Sequence, residues 1–561
     1  MIKLDSPFTT TNKTGTSIGT RIVPALILCF GVVLLAGYFT IGFSFFMGQK
    51  KVSQRDNLQT IIELPGWPYY YSPCSYGRTP AFGDIDPSYA GLEVVIADGE
   101  GNPPDCQYFI SVFHVDGTVV PGWEPFQVPT SIVENPPIIA DIAGDNQPEI
   151  IVHDDQAALD EEAHVYAFTS GGEPVEGWPY VSDNVWNTNT IAAMAAGNFD
   201  ADSKMEIVVS SLQGILTVLD GNGQVMTGWP KCIYNDNIDS CREQGQSLFA
   251  IPTMADIDHD SIPEILTVSG QDFVFTPPWN FTPLSVFAYH INGEIVEGFP
   301  MNIKESTSCS EVRSSLAIDD INGDQENEIL ISCPGGSPDG QYNTAYVYAL
   351  SMDGTSLPGW PVLLEDRGPL GPYLSSSPTV GDIDSDGQKE VLVGGGTAQF
   401  TPTKIYAYHA DGSTVAGWPV TPLTEEPWGT VITSEVILAD LDGDRDLEVL
   451  AGVDLFYEGY GVLVIYRSDG SEFIPPMNFS YGFDRNTPLV ADLNQDRKLE
   501  IVMRPDALHV FTVEWTTADL HGWPEYRSNQ QRTGVKKGST NSGGSSPAIL
   551  KTFPPPAEER P

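Results

Sequence analysis

The stretch ADLDGDRDLEVLA, residues 439–451, sets carboxylates at Asp440, Asp442 and Asp444, adds a fourth at Glu448 and continues as an apolar run. Short acids on alternate residues favour a tight loop, and the run of β-formers after them reads as a strand. The pattern occurs eight times in all. The other copies are GDIDPSYAGLEVV from Gly83, ADIAGDNQPEIIV from Ala140, GNFDADSKMEIVV from Gly197, ADIDHDSIPEILTV from Ala255, DDINGDQENEILI from Asp319, GDIDSDGQKEVLV from Gly381 and ADLNQDRKLEIVM from Ala491. Their first loop positions lie 52 to 64 residues apart. Self-similarity at such a period marks a repeat architecture.

Between these loops a second pattern returns. Alternating apolar runs such as VYAF (165–168), SVFAYHI (285–291), YVYAL (346–350) and IYAYH (405–409) recur, and turn dipeptides close units at Asp116-Gly117, Asn292-Gly293, Asp353-Gly354, Asp411-Gly412 and Asp469-Gly470. These are hairpin signals. A Gly-Trp-Pro marker stands at 66–68, 177–179, 228–230, 359–361, 417–419 and 522–524, with variants Gly122-Trp123-Glu124 and Gly298-Phe299-Pro300. Each unit therefore reads as strand, acidic loop, strand, connection, strand, turn, strand. One such sheet cannot bury both faces alone, whereas radial stacking buries them and leaves only short edges. The expected fold class is all-β: a β-propeller of about eight four-stranded blades over residues 64–534, with seven blades plus an accessory hairpin as the alternative. One tryptophan per blade is most economically an inter-blade packing residue.

Composition agrees. The chain has 561 residues, 54 Gly and 45 Pro, which favour turns over long helices, and 41% hydrophobic residues, enough for a large core. Its 27 basic against 75 acidic residues give a formal charge of −48. Such a polyanion is repelled by phosphate backbones and anionic lipid surfaces, so nucleic acid is not an expected partner. Loop positions supply 27 of the 75 acids, so the net charge is largely a consequence of the loops.

The loop pattern, D-x-[D/N]-x-D-x-x-x-E, wraps oxygens around a point. A hard cation with 6 to 8 oxygen ligands requires this, and calcium is the natural occupant. Softer metals would want His or Cys, of which the loops hold only His259 at a non-ligand position. The full sets are Asp256, Asp258, Asp260 and Glu264; Asp382, Asp384, Asp386 and Glu390; and Asp440, Asp442, Asp444 and Glu448. Three copies exchange one carboxylate for an amide: Asn198, Asp200, Asp202 and Glu206; Asp320, Asn322, Asp324 and Glu328; and Asp492, Asn494, Asp496 and Glu500. The copy with Asp141, Asp145 and Glu149 has Ala143 at the second ligand position and should bind more weakly. The first has Asp84 and Asp86, then Pro87 and one extra residue before Glu93. Without metal these carboxylates repel, so binding is expected to be part of folding. The competing reading is that the Asp and Asn side chains serve only as Asx-turns.

These motifs resemble the FG-GAP and VCBS repeats of integrin α-chain propellers and their bacterial relatives, over roughly Leu64 to Gly534. The resemblance implies that the loop joins the first two strands of a blade and binds Ca²⁺ at the positions above. The segment GWPEYRSNQQRTG also looks like the terminal segment of bacterial members. Eight loops rather than seven repeats depart from integrin α-chains. The family's members include adhesins, scaffolds and some enzymes, so it implies little about chemistry.

Outside the repeats, Ile22 to Met47 carries no charge and is long enough to span a hydrocarbon core of roughly 30 Å. It reads as one transmembrane helix behind an N-terminal flank (1–21), followed by a linker (48–63). Residues 535–561 are rich in Gly, Ser and Pro, and a disordered tail is expected. Cys29 lies in the apolar run; Cys74, Cys106, Cys232, Cys241, Cys309 and Cys333 have spacings that suit three local crosslinks and an oxidising compartment, with six buried thiols as the other reading. His114, His290 and His409 precede turns at equivalent positions and read as blade structure, while His153, His164, His259, His509 and His521 are scattered without a recognisable triad. No catalytic residue is assigned. The expected protein is thus a single-pass membrane protein presenting a calcium-binding propeller outside the cytoplasm, at the cell surface or in the periplasm. Its expected role is recognition, adhesion or scaffolding toward a protein or glycan ligand. A carbohydrate-active enzyme, such as a calcium-dependent polysaccharide lyase, is the alternative.

Overall fold

The computed structural model describes residues 61–70, 79–100, 107–123, 126–128, 136–154, 163–182, 191–200, 202–211, 213–233, 237–239, 241, 250–269, 284–303, 314–335, 344–364, 376–397, 401–423, 429–432, 434–455, 459–483, 486–514 and 522–523. The chain divides into 1–58 and 59–561. The expected membrane segment 22–47 and the tail 535–561 lie outside the described residues, among which no helix is long and apolar enough to cross a membrane.

Eight antiparallel sheets form eight blades. In blade 7 the strands Ile437–Ala439, Glu448–Leu455, Tyr460–Tyr466 and Met477–Phe479 pair in chain order. Blade 1 repeats this with Ala81–Gly83, Glu93–Glu100, Gln107–Phe113 and Phe126–Val128. Blades 2 to 5 begin at Ile138, Ile191, Thr253 and Ala317 and keep the same order. Blade 6 has three strands from Thr379, and its fourth edge is a bridge from Val420 to Ile405. Blade 8 is a composite. Leu489–Ala491, Glu500–Met503 and His509–Val513 pair with Ile61–Glu63 from the other end of the domain, in the register Ile61 to Val513 and Glu63 to Phe511. The ring closes on that pairing.

The first strands of neighbouring blades lie against one another, and the second strands are covered on both faces. Glu448–Leu455 is buried at every position. That is why VLAGV (449–453) within it reads as an uninterrupted uncharged run instead of alternating. Burying each Val or Leu of this kind contributes about 1.5–3 kcal/mol. A charge at Leu450, which is 0% exposed, would break the blade.

Adjacent blades are joined by the tryptophan marker. The indole Nε1–H of Trp67, Trp123, Trp178, Trp229, Trp360 and Trp418 donates to a carbonyl in the hairpin of the following blade (Val115, Ser170, Gly221, Ile291, Ala410 and Ser468) at 2.7–3.2 Å. Trp67, Trp123, Trp229, Trp360 and Trp418 also meet an aromatic ring of that blade edge-on, with centroids 5.7–6.3 Å apart. The packing role read from the sequence is thus accompanied by a hydrogen bond. Phe299 packs against the apolar core in blade 4, but its ring carries no N–H to donate across to the next blade. The preceding glycine is required by close approach: at Gly177, with φ +94°, a Cβ would collide with the Asn222 carbonyl.

Gly522–Trp523 does not close a blade as its siblings do. It pairs with the first strand of blade 7, Leu438 opposite Trp523 and Ala439 opposite Gly522. The physical reason is that Ile61–Glu63 already occupies the outer edge of blade 8. Cys232 and Cys241 form a disulfide nine residues apart, and Cys333 is also disulfide-bonded.

Candidate metal centre

Each acidic loop joins the first and second strands of its blade, and its shape is made locally. In blade 7, Asp440 Oδ1 accepts the Gly443 N–H (2.6 Å) and Oδ2 accepts that of Arg445 (3.0 Å). Asp444 accepts the N–H of Asp446 at 2.9 Å. Two backbone positions turn left-handed, Gly443 at φ +77° and Arg445 at φ +83°. A non-glycine residue there costs roughly 1 kcal/mol or more. The Asx-turn reading is therefore realised in blade 7, with analogous bonds at Asp141, Asp256, Asp320, Asp382 and Asp492. It does not compete with ion binding, because a carboxylate oxygen that accepts one N–H keeps a further lone pair.

The last glutamate has a role that the sequence reading missed. In every copy its Oε2 accepts the N–H of the residue after the first loop position: Ile85 from Glu93, Ile142 from Glu149, Phe199 from Glu206, Ile257 from Glu264, Ile321 from Glu328, Ile383 from Glu390, Leu441 from Glu448 and Leu493 from Glu500, at 2.7–3.0 Å. The glutamate latches the loop to its own blade and leaves Oε1 for another partner. Its presence in all eight copies, while other positions vary, was the available signal.

What else each loop brings together differs. Oxygens of Asp440, Asp442 and Glu448 lie within 4.8 Å of one another, as do those of Asp382, Asp384 and Glu390, those of Asp200, Asp202 and Glu206, and those of Asp256, Asp258 and Asp260. Asp386 and Asp444 spend one oxygen on the N–H two residues on, as Asp202 and Asp260 also do. In blade 4 a ring nitrogen of His290 joins Asp258 and Glu264 within the same distance. In blade 5, Asn322 donates to Glu328 Oε1 (2.9 Å) and accepts from the Asp324 N–H. In blade 8, Asn494 accepts from the Asp496 N–H, while Asp492 Oδ1 is buried and accepts no hydrogen bond. Asn198 in blade 3 donates to the Asp202 carbonyl at 2.6 Å. In blade 2, Asp141 spends both oxygens on the backbone and Asp145 accepts from Gln147. In blade 1, Asp86 accepts from Ser88, and Asp84 directly follows the first strand.

Electrostatics follows geometry. Burial, reinforced by adjacent carboxylates, pushes Glu448 up to about 9 and Glu206 to about 8. Burial raises Glu149, Glu264, Glu328, Glu390 and Glu500 to about 7. Backbone N–H groups only partly offset this. A divalent cation among these oxygens would compensate the charge that burial penalises, and the donors of blades 3, 4, 6 and 7 fit one by chemistry and convergence.

Neighbouring loops also touch. The residue before the glutamate donates its N–H to the preceding loop: Met205 to Asp141 O (3.0 Å), Leu447 to Ile383 O (2.9 Å) and Leu92 to Leu493 O (2.7 Å). His259 reaches Glu326 of the next loop at 3.1 Å.

No protein-family model matches the chain, and no curated protein matches it. Solved structures do. The V. cholerae biofilm matrix protein Bap1 is 13% identical over 84% of this chain and 96% of that one, with a TM-score of 0.41. The exotype rhamnogalacturonan lyase YesX is 16% identical over 84% and 95%, with a TM-score of 0.44. The Dos1 propeller is 9% identical over 82% and 98%, with a TM-score of 0.47. At these identities and scores the likeness says nothing about chemistry.

Apart from His259, the described histidines separate into two groups; His521 lies outside the described residues. His114, His290 and His409 place Nδ1 3.2–3.3 Å from Oε1 of the loop glutamate in their own blade. At the opposite end of the blades, His164 Nδ1 meets the buried Asp154 at 2.8 Å, and the peptide N–H of His164 also donates to that carboxylate. His153 Nδ1 lies 3.2 Å from the Asp154 carbonyl. His509 lies between Glu63 (2.6 Å) and Asp506 (2.8 Å). These acids and histidines are far apart in sequence or masked by strand pattern, so no motif betrays them.

Proposed function

We propose that this chain is a calcium-stabilised propeller of the FG-GAP and VCBS kind, serving recognition or scaffolding outside the cytoplasm with residues 22–47 as its membrane anchor. The observation that carries the reading is the convergence of acidic oxygens in four loops of one repeating design. Chemistry repeated blade after blade belongs to the scaffold, since a reaction centre needs one asymmetric constellation. Bound ions would be held by Asp200, Asp202 and Glu206, by Asp256, Asp258 and Asp260, by Asp382, Asp384 and Glu390, and by Asp440, Asp442 and Glu448. They would supply positive charge that keeps each loop folded, and specificity would then lie in the connections between repeats. Differential scanning calorimetry of the full chain in calcium and in chelator tests the metal reading, and an identical melt would sink it. Binding to a glycan array or a protein partner that disappears with chelator would support recognition. Release of unsaturated sugars from a uronate polymer would favour the lyase alternative instead.

A further inference from the structure

We infer that the first acidic loop is closed by the imidazole of His114 and takes no cation. Glu93 Oε2 is spent on two backbone N–H groups, those of Ile85 (2.8 Å) and Asp86 (3.0 Å). Its Oε1 faces His114 Nδ1 at 3.3 Å, and the other ring nitrogen of His114 faces Asp86 Oδ2 across 3.7 Å. Asp86 Oδ1 is taken by the N–H and the hydroxyl of Ser88, at 3.0 and 2.6 Å. The third acidic position of the pattern is that serine. Tyr89 then lies flat on the imidazole, with ring centroids 3.9 Å apart and planes inclined by 23°. A planar ring thus stands between the two carboxylates that ligate in the general pattern, roofed by a second ring. A cation needing 6 to 8 oxygens finds neither the donors nor the room.

A histidine at this position does not suffice by itself. His290 and His409 contact their glutamates in the same way, yet their side chains are 32% and 38% exposed, against 8% for His114. Acidic oxygens still converge in both of those loops. Blade 1 differs because Ser88 turns Asp86 so that its second oxygen points at the ring, and because the extra residue lets Tyr89 fold over it. Gly91, at φ +130°, brings that insert against the Leu493 carbonyl of blade 8, where a Cβ would not fit. The inference deepens the calcium reading, on which only the ion count below depends.

The test uses the full chain stripped of metal, with calcium titrated by calorimetry and melts recorded in chelator. Asp86→Ala is expected to leave the number of bound calcium ions unchanged, while Asp442→Ala, which removes the side-chain oxygens at the same loop position of blade 7, removes one. His114→Ala is expected to lower Tm by the same amount in chelator and in calcium, with His114→Gln, which keeps an N–H toward Glu93, in between. Loss of one calcium equivalent in Asp86→Ala would overturn the inference. So would a wild-type melt for His114→Ala in chelator. If wild type took up no calcium at all, the calcium reading would fall, and the melts in chelator would still decide the role of His114. Should His114→Ala not fold, His114→Gln carries the same comparison.

Discussion

The loops of blades 7 and 1 occupy one place in the repeat and settle the same electrostatic problem in opposite ways. In blade 7, oxygens of Asp440, Asp442 and Glu448 converge within 4.8 Å of one another, and burial drives Glu448 up to about 9. In blade 1 an imidazole sits between Asp86 and Glu93, and a serine replaces the third acid. The lesson is that the glutamate latch makes the loop, and that the partner of its other oxygen is a separate choice: an imidazole in blades 1, 4 and 6, the amide of Asn322 in blade 5.

The largest expected effect separates the two loops directly. On chelation, hydrogen exchange should accelerate at residues 440–455 while residues 84–96 keep their protection, because each ion present at 100 times its dissociation constant contributes about 2.7 kcal/mol to the folded state. Equal loss of protection in both would erase the contrast. Next in size, Glu448→Ala should cost about 1–3 kcal/mol even in chelator, since it strands the buried Leu441 N–H. Urea unfolding measures it, and an unchanged midpoint would show the latch to be idle.

Glu448→Gln sharpens the comparison further. A carboxyl whose folded value lies far above its unfolded one destabilises the fold at every pH above the unfolded value. That penalty fades as pH falls through the folded value, because the proton then favours the native state. In chelator the glutamine variant should therefore melt higher than wild type at pH 8, with the two curves approaching each other toward pH 5. In calcium the order should reverse. A variant that melts lower than wild type in chelator at pH 8 would contradict the sign. The smallest effect belongs to the turn itself: Arg445→Gly relieves a left-handed residue and should gain at most about 1 kcal/mol, equally with and without calcium. A gain confined to one condition would tie that strain to ion binding.

Much of this was legible beforehand. The eight acidic loops, the hairpin turns and the tryptophan markers each recur in register, and stacking units that cannot bury themselves alone leads to a ring. What a repeat cannot reveal is how it departs from itself. The period says nothing of where the ring closes, so the fourth strand of blade 8 came from Ile61–Glu63, just ahead of Leu64, and the last Gly-Trp pair had to go elsewhere. The glutamate was read as a ligand, because a sequence shows which oxygens a loop owns and not which backbone N–H groups already claim them.

The sequence by itself determined the unit and the side chains that repeat, because strand period, turn chemistry and hydrophobic burial are local and were written eight times; between eight blades and seven plus a hairpin, the structure decided for eight. Tertiary structure alone decided which carboxylates converge on one another and which meet a histidine. His114 is 21 residues from Glu93, and whether its ring enters the loop depends on a serine, a tyrosine and a neighbouring blade that only the closed ring brings together.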